Sequence, residues 1–198
     1  MRVPYAPKEP PTSEDAPVYE RIAARRAPRP LIPLDLALLH NTAVADGWNS
    51  FIGAIRTKTT ILETVKELAI SRVAVLNQAV HEWDVHAALA VKAGISKDGM
   101  QSCYDAPVVK QEDKVREVEG EVGGLSADMW ALLAYTDQMT VGVQVDDAVA
   151  ERIRKFLSDK EVVELTATVA AYNCVSRFLV ALDVGECNGR PMKAVADL

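Results

Sequence analysis

Apolar positions recur at threes and fours along most of this chain, the spacing that lays one hydrophobic stripe along an α-helix. The clearest run covers 60–94, where Ile61, Val65, Leu68, Ala69, Val73 and Leu76 draw such a stripe. Thr60 followed by Glu63 has the form of a capping box, so a helix is expected to begin at Thr60. Asn77-Gln78 separates this run from a second apolar run that Gly94 closes. Asn tolerates the left-handed backbone that ends helices, which predicts a turn there and an antiparallel helical hairpin around it.

The same reading extends in both directions. A helix is expected over 18–26, where Tyr19, Ile22 and Ala23 share a face, broken by Pro28, Pro30 and Pro33. Two more are expected over 34–44 and 47–57, parted near Asp46-Gly47, the second with Trp48, Phe51, Ile52 and Ile55 as its stripe. Beyond the hairpin, Ser96 starts a short helix toward Cys103 that Pro107 ends. Residues 110–124 mix both charges densely and read as a solvated loop or frayed helix. Ser126 opens a helix to about 141, Asp146 or Asp147 caps another to Leu157, and Ser158 with Glu161 forms a second capping box. From there Glu164-Leu165 echoes Glu67-Leu68 and Asn173 echoes Asn77, as in a second hairpin. At the height of His86 that repeat carries Leu182 and Asp183. No strand-like alternation of useful length occurs, so the expected fold is all-α, a bundle built from two similar helical hairpins. Five prolines in 1–17 predict an extended arm able to drape over a neighbouring subunit. The domain expected behind it spans 18–190, with a tail at 191–198.

Composition narrows the function classes. The chain has 198 residues and a formal charge of −6, enough length for one core-forming domain. No basic cluster offsets the acidic balance, which argues against a nucleic-acid partner. The apolar runs are short and no signal-peptide core opens the chain, so no membrane association and a cytoplasmic location are expected. Three cysteines, Cys103, Cys174 and Cys187, are widely spaced and odd in number, fitting reduced thiols rather than a disulfide framework.

Candidate chemistry concentrates in the central hairpin, which holds Glu67, His81, Glu82 and His86. In one continuous helix, Glu67 and His86 would stand about 28 Å apart. Glu67 lies ten residues before Asn77 and His86 nine after it, so a turn brings them level. A histidine oriented by a carboxylate is a capable proton donor or acceptor; against this stands a purely structural hydrogen-bonded histidine. Glu82 either shares the site or makes an exposed pair with His86 one turn away. His81 points about 140° from His86 around the helix axis, suiting a subunit interface or a supporting position behind the site. Trp48 and Trp83 are core residues or walls of a substrate pocket. Arg56 and Arg72 would bind a substrate carboxylate or serve ordinary ion pairs. The sequence His81-Glu82-Trp83-Asp84-Val85-His86 spaces its histidines by five, whereas a zinc helix needs four. A metal site from Glu67, Glu82 and His86 is geometrically conceivable, but no metal is expected.

The run KELAISRVAVLNQAVHEWDVHAALAVKAGIS resembles the core of the carboxymuconolactone decarboxylase family, which includes alkylhydroperoxidase D. DKEVVELTATVAAYNCVSRFLVALDVG resembles the family's second helical pair, so the likeness covers most of 35–186. In the peroxidase branch the pattern is a Glu, a Cys-x-x-Cys pair opening the next helix, and a His one turn beyond. Glu67 and His86 match the Glu and the last His, and His81 matches a further His between the cysteines. Ala79 and Glu82 occupy the two cysteine positions. The resemblance implies an AhpD-like helical bundle and a homo-oligomer, trimer or hexamer. It also implies cofactor-independent proton transfer on a small organic acid, lactone or related cyclic metabolite, by decarboxylation or isomerisation. His86 would be the general acid, Glu67 its orienting partner and Glu82 a second acid or base. Peroxide reduction is the alternative, disfavoured because it needs a low-pKa thiolate beside a resolving thiol. A non-catalytic scaffold is the third.

Overall fold

The computed structural model describes residues 1–113 and 118–198. Among these, nine α-helices and one two-residue β-hairpin make an all-α protein: α1 (Ala16–Arg26), α2 (Pro33–Leu38), α3 (Thr42–Thr57), α4 (Glu63–Leu76), α5 (Val80–Ala93), α6 (Lys97–Asp105), β1 (Glu121–Val122), β2 (Leu125–Ser126), α7 (Ala127–Asp137), α8 (Asp147–Ile153) and α9 (Asp159–Leu182). The expected loop at 110–124 thus ends in a small antiparallel pairing of Val122 with Leu125; its positions 114–117 lie outside the described residues. Gly124, at φ +74°, sits so close to the start of α6 that an added Cβ would fall 2.3 Å from the Gly99 amide nitrogen, which only glycine avoids.

Two compact units divide the chain, one of residues 1–59 with 178–187 and one of 60–177 with 188–198. In the first, Tyr19 and Ile22 of α1, Leu36 and Leu38 of α2, and Ala45 of α3 form a core with Ala6 of the proline-rich arm. The proline-rich arm bonds within its own chain: Ala6 N donates to Leu36 O at 3.1 Å, and Gly185 N donates to the Tyr5 hydroxyl at 2.8 Å. The helix break expected at Asp46-Gly47 lies instead at 39–41, because the Asn41 side chain accepts from Val44 N at 3.1 Å and so caps α3. Gly47 is carried inside α3.

The second unit is built on the α4–α5 hairpin, with α6 and α7 packed against α4. The predicted turn is present at 77–79, where Gln78 rather than Asn77 takes the left-handed conformation, at φ +54°. Asn77 instead turns its amide toward α9, donating to Asn173 Oδ1 and Ser176 Oγ at 3.1 and 2.7 Å. The expected capping box at Thr60 and Glu63 is not formed. Glu164 takes both donors of Thr60 and the amide of Ile61, at 2.7, 3.1 and 3.0 Å, and α4 begins at Glu63. The box at Ser158 and Glu161 does form, at 2.9 Å from Ser158 N to the carboxylate. The turn at Asn77 has no counterpart at Asn173: α9 runs unbroken through it, since the Asn173 amide is satisfied by Val169 O of its own helix and by Thr140 Oγ1, both at 3.0 Å.

Candidate active site

The α4–α5 hairpin buries polar side chains alongside apolar ones such as Ala69, Val73, Ala87 and Ala90. Glu67 on α4 is 1% exposed and His86 on α5 is 9% exposed. His86 Nδ1 lies 2.6 Å from Glu67 Oε2. With Glu67 ionised, its carboxylate only accepts, which puts the hydrogen on Nδ1 and leaves Nε2 as the nitrogen that would exchange protons. Tyr172 of α9 presses edge-on to the imidazole, ring centroids 4.8 Å apart at 81°. The ring is therefore oriented from two directions, by a hydrogen bond and by an aromatic wall.

One turn before His86, Glu82 is 2% exposed, which replaces the expected exposed pair with a buried carboxyl. Neither of its oxygens has a hydrogen-bond partner among the described residues. Burial pushes its pKa well above the usual carboxylate range, because a charge in such surroundings loses its hydration without compensation. Burial thus favours the neutral acid form of Glu82. Ser71, one turn after Glu67 on α4, is fully buried and its hydroxyl is likewise without a partner among the described residues. Sequence reasoning passed over Ser71; its four-residue spacing from Glu67 was the signal that could have found it.

Arg72 is 1% exposed and engaged within the protein, the ordinary ion-pair reading of that residue. Its guanidinium binds both oxygens of Asp137 on α7, at 2.6 and 2.9 Å, and donates to the Cys103 and Ala106 carbonyls at 2.8 and 2.9 Å. Trp83 is corrected from pocket wall to core: it is fully buried, its indole donates to Lys193 O at 3.0 Å, and its ring meets Tyr104 at 5.1 Å. His81 is exposed. Trp48 and Arg56 belong to α3 of the first unit, where Trp48 packs on Phe178 with centroids 5.4 Å apart. Among the described residues, no group of three His, Cys, Asp or Glu side chains could hold a metal ion, and Glu67, Glu82 and His86 form no such group. Burial raises the Cys103 thiol to about 12, and the described cysteines form no disulfide.

Comparison with known proteins meets this geometry at the hairpin. Residues 42–105 match the model of the carboxymuconolactone decarboxylase family. No curated protein sequence matches. Among solved structures, the apo debrominase Bmp8 is similar with a TM-score of 0.64 at 13% identity, over 96% of this chain and 94% of that one. A cysteine-to-alanine variant of the same debrominase in complex with 2,3,4-tribromopyrrole gives 0.61 at 13% identity, over 96% and 93%. A protein of unknown function from Agrobacterium tumefaciens, suggested to be the antioxidant defence protein AhpD, gives 0.52 at 17% identity, over 74% and 90%. The fold is AhpD-like, and the segment 42–105 that matches the carboxymuconolactone decarboxylase family model carries Glu67, Ser71, Glu82 and His86.

Proposed function

We propose that the protein is a small-molecule enzyme whose reaction is cofactor-independent proton transfer, a decarboxylation or isomerisation of a small organic acid, lactone or related cyclic metabolite. The observation that carries this reading is the 2.6 Å contact of His86 Nδ1 with Glu67 inside the family-matched segment. Glu67 fixes the tautomer and stabilises the imidazolium, and His86 Nε2 carries the proton. In a decarboxylation the carbon–carbon bond to the carboxylate breaks, its electron pair stays on the remaining carbon as carbon dioxide leaves, and the imidazolium protonates that carbon. In an isomerisation the imidazole takes a proton from one carbon and returns it to another. Glu82, neutral beside it, supplies a second acid.

Peroxide reduction of the alkylhydroperoxidase D kind is the weaker reading. It requires a thiolate and a resolving thiol close together, and Ala79 and Glu82 stand at those positions while the Cys103 thiol is held far from ionisation. The homo-oligomeric state and cytoplasmic location expected from the sequence remain part of the proposal, the first open to sedimentation analysis and the second to fractionation.

The test is turnover, or deuterium incorporation from heavy water, on lactones and keto acids without added metal or thiol. His86→Ala is expected to lower the rate by about 10²–10⁴-fold, and Glu67→Gln by less. Full rates in both variants would end the assignment, and a strict requirement for added dithiol would restore the peroxidase.

A further inference from the structure

The hairpin brings two pairs of side chains level with each other, and only one of them is satisfied. Glu67 meets His86. Ser71 lies one turn beyond Glu67 on α4, and Glu82 one turn before His86 on α5; because the helices run antiparallel, both steps lead toward the turn at 77–79. Ser71 and Glu82 therefore occupy the next level of the same facing stripes. Their three side-chain oxygens are all buried, and all lack hydrogen-bond partners among the described residues. Such groups are uncommon in folded proteins, since each one gives up hydration with nothing in return. Three oxygens at one level beside an oriented imidazole mark a place where another molecule completes the bonding.

The chemistry of the pair specifies that molecule. A serine hydroxyl and a carboxyl without a counter-charge can each donate one O–H. Two such donors, at the same level of the hairpin, match a single acceptor with two lone pairs. Ile70, Ala74, Trp83 and Ala87, near them in the two helices, are fully buried. A compact, largely apolar molecule bearing one carbonyl oxygen fits this pair of donors.

We propose that Ser71 and Glu82 form a carbonyl-binding site one helical turn from His86, taking the carbonyl oxygen of a small lactone or cyclic ketone. This deepens the proton-transfer reading and rests on it for the position of the reacting carbon, which the bound oxygen sets against the imidazole. Polarising the carbonyl makes the adjacent carbon easier to deprotonate, or its enolate easier to form.

Binding tests the site apart from turnover. The probes are γ-butyrolactone and cyclopentanone, with affinity read by ligand-observed NMR on the full chain and folding checked by circular dichroism. Ser71→Ala and Glu82→Met are each expected to weaken binding about tenfold, the loss of one hydrogen bond. Glu82→Gln, which keeps an N–H donor, is expected to stay within a few fold of the parent. His86→Ala is expected to keep probe binding while losing turnover. Ser71→Ala removes only an oxygen without a partner, so it retains the fold and keeps the test decisive. Failure of both probes to bind, or binding indifferent to Ser71 and Glu82, overturns the site and leaves the role of His86 standing. Binding that depends on Ser71 and Glu82 with no turnover on any carbonyl substrate overturns the catalytic reading alone.

Discussion

Glu67 and His86, nineteen positions apart in the chain, share one hydrogen bond of 2.6 Å in the interior of the α4–α5 hairpin. With Glu67 ionised, the bond places the ring proton on Nδ1, against a carboxylate with 1% exposure. A proton in that position resonates far downfield. We expect the parent protein to show one such imidazole signal, and Glu67→Gln to lose it while circular dichroism stays unchanged. Persistence of the signal in that variant would mean that another acceptor orients His86.

Glu82 makes stability depend on pH. The unfolded carboxyl titrates at about 4.3, whereas burial raises the folded value well above that. Between the two values the folded chain binds the proton and the unfolded chain releases it, so stability falls as pH rises through this window. Denaturant midpoints from about pH 4 to about pH 8 are expected to decline in the parent and to decline less in Glu82→Gln. Equal slopes would contradict the buried acid.

Glu164 works with the opposite sign. Burial raises its pKa, but the amides of Thr60 and Ile61 and the Thr60 hydroxyl outweigh this, and the net value lies below the ordinary one. Its contribution is present above the unfolded value of about 4.3 and is lost as pH falls through the lower folded value. Glu164→Gln is expected to unfold more readily at neutral pH than the parent and to lose less on acidification. Acid titration of thermal midpoints measures both.

The Arg72–Asp137 pair is buried on both sides. Arg72→Ala would leave the Asp137 carboxylate uncompensated and the 103–106 carbonyls without their donor. We expect a loss of about 3–5 kcal/mol in chemical denaturation. Arg72→Met combined with Asp137→Leu, which removes both charges, is expected to recover much of it.

Thiol reactivity should divide the cysteines by burial. Cys103 is fully enclosed and its thiol is pushed up to about 12, while Cys174 on α9 is exposed. An aromatic disulfide reagent is expected to modify Cys174 in the native protein and Cys103 only after denaturation. Native modification of Cys103, mapped by mass spectrometry, would refute this.

The turn at 77–79 and the meeting of Glu67 with His86 were legible because apolar periodicity and a single break between two runs determine both. Local pattern failed where a distant residue intervened. Thr60 and Glu63 have the right spacing for a capping box, but Glu164 reaches across 104 positions and takes the Thr60 donors. Asn41 outcompeted Asp46-Gly47 as a helix boundary because a side-chain cap settles a helix start, and glycine alone need not end one. Asn173 resembles Asn77 in sequence, yet finding partners inside α9 it has no reason to turn. Burial was the least legible property: nothing in the spacing separates Arg72, locked into an ion pair, from an arginine facing solvent, or marks Glu82 and Ser71 as polar groups left without partners.

Arg72 follows Ser71 directly in α4, and its guanidinium reaches Asp137 and the carbonyls of Cys103, Ala106 and Pro107. Anchored by that side arm, α4 cannot roll about its axis without breaking several charged bonds at once. The neighbouring Glu67 carboxylate and Ser71 hydroxyl are consequently carried on a helix whose bearing is fixed from outside the hairpin.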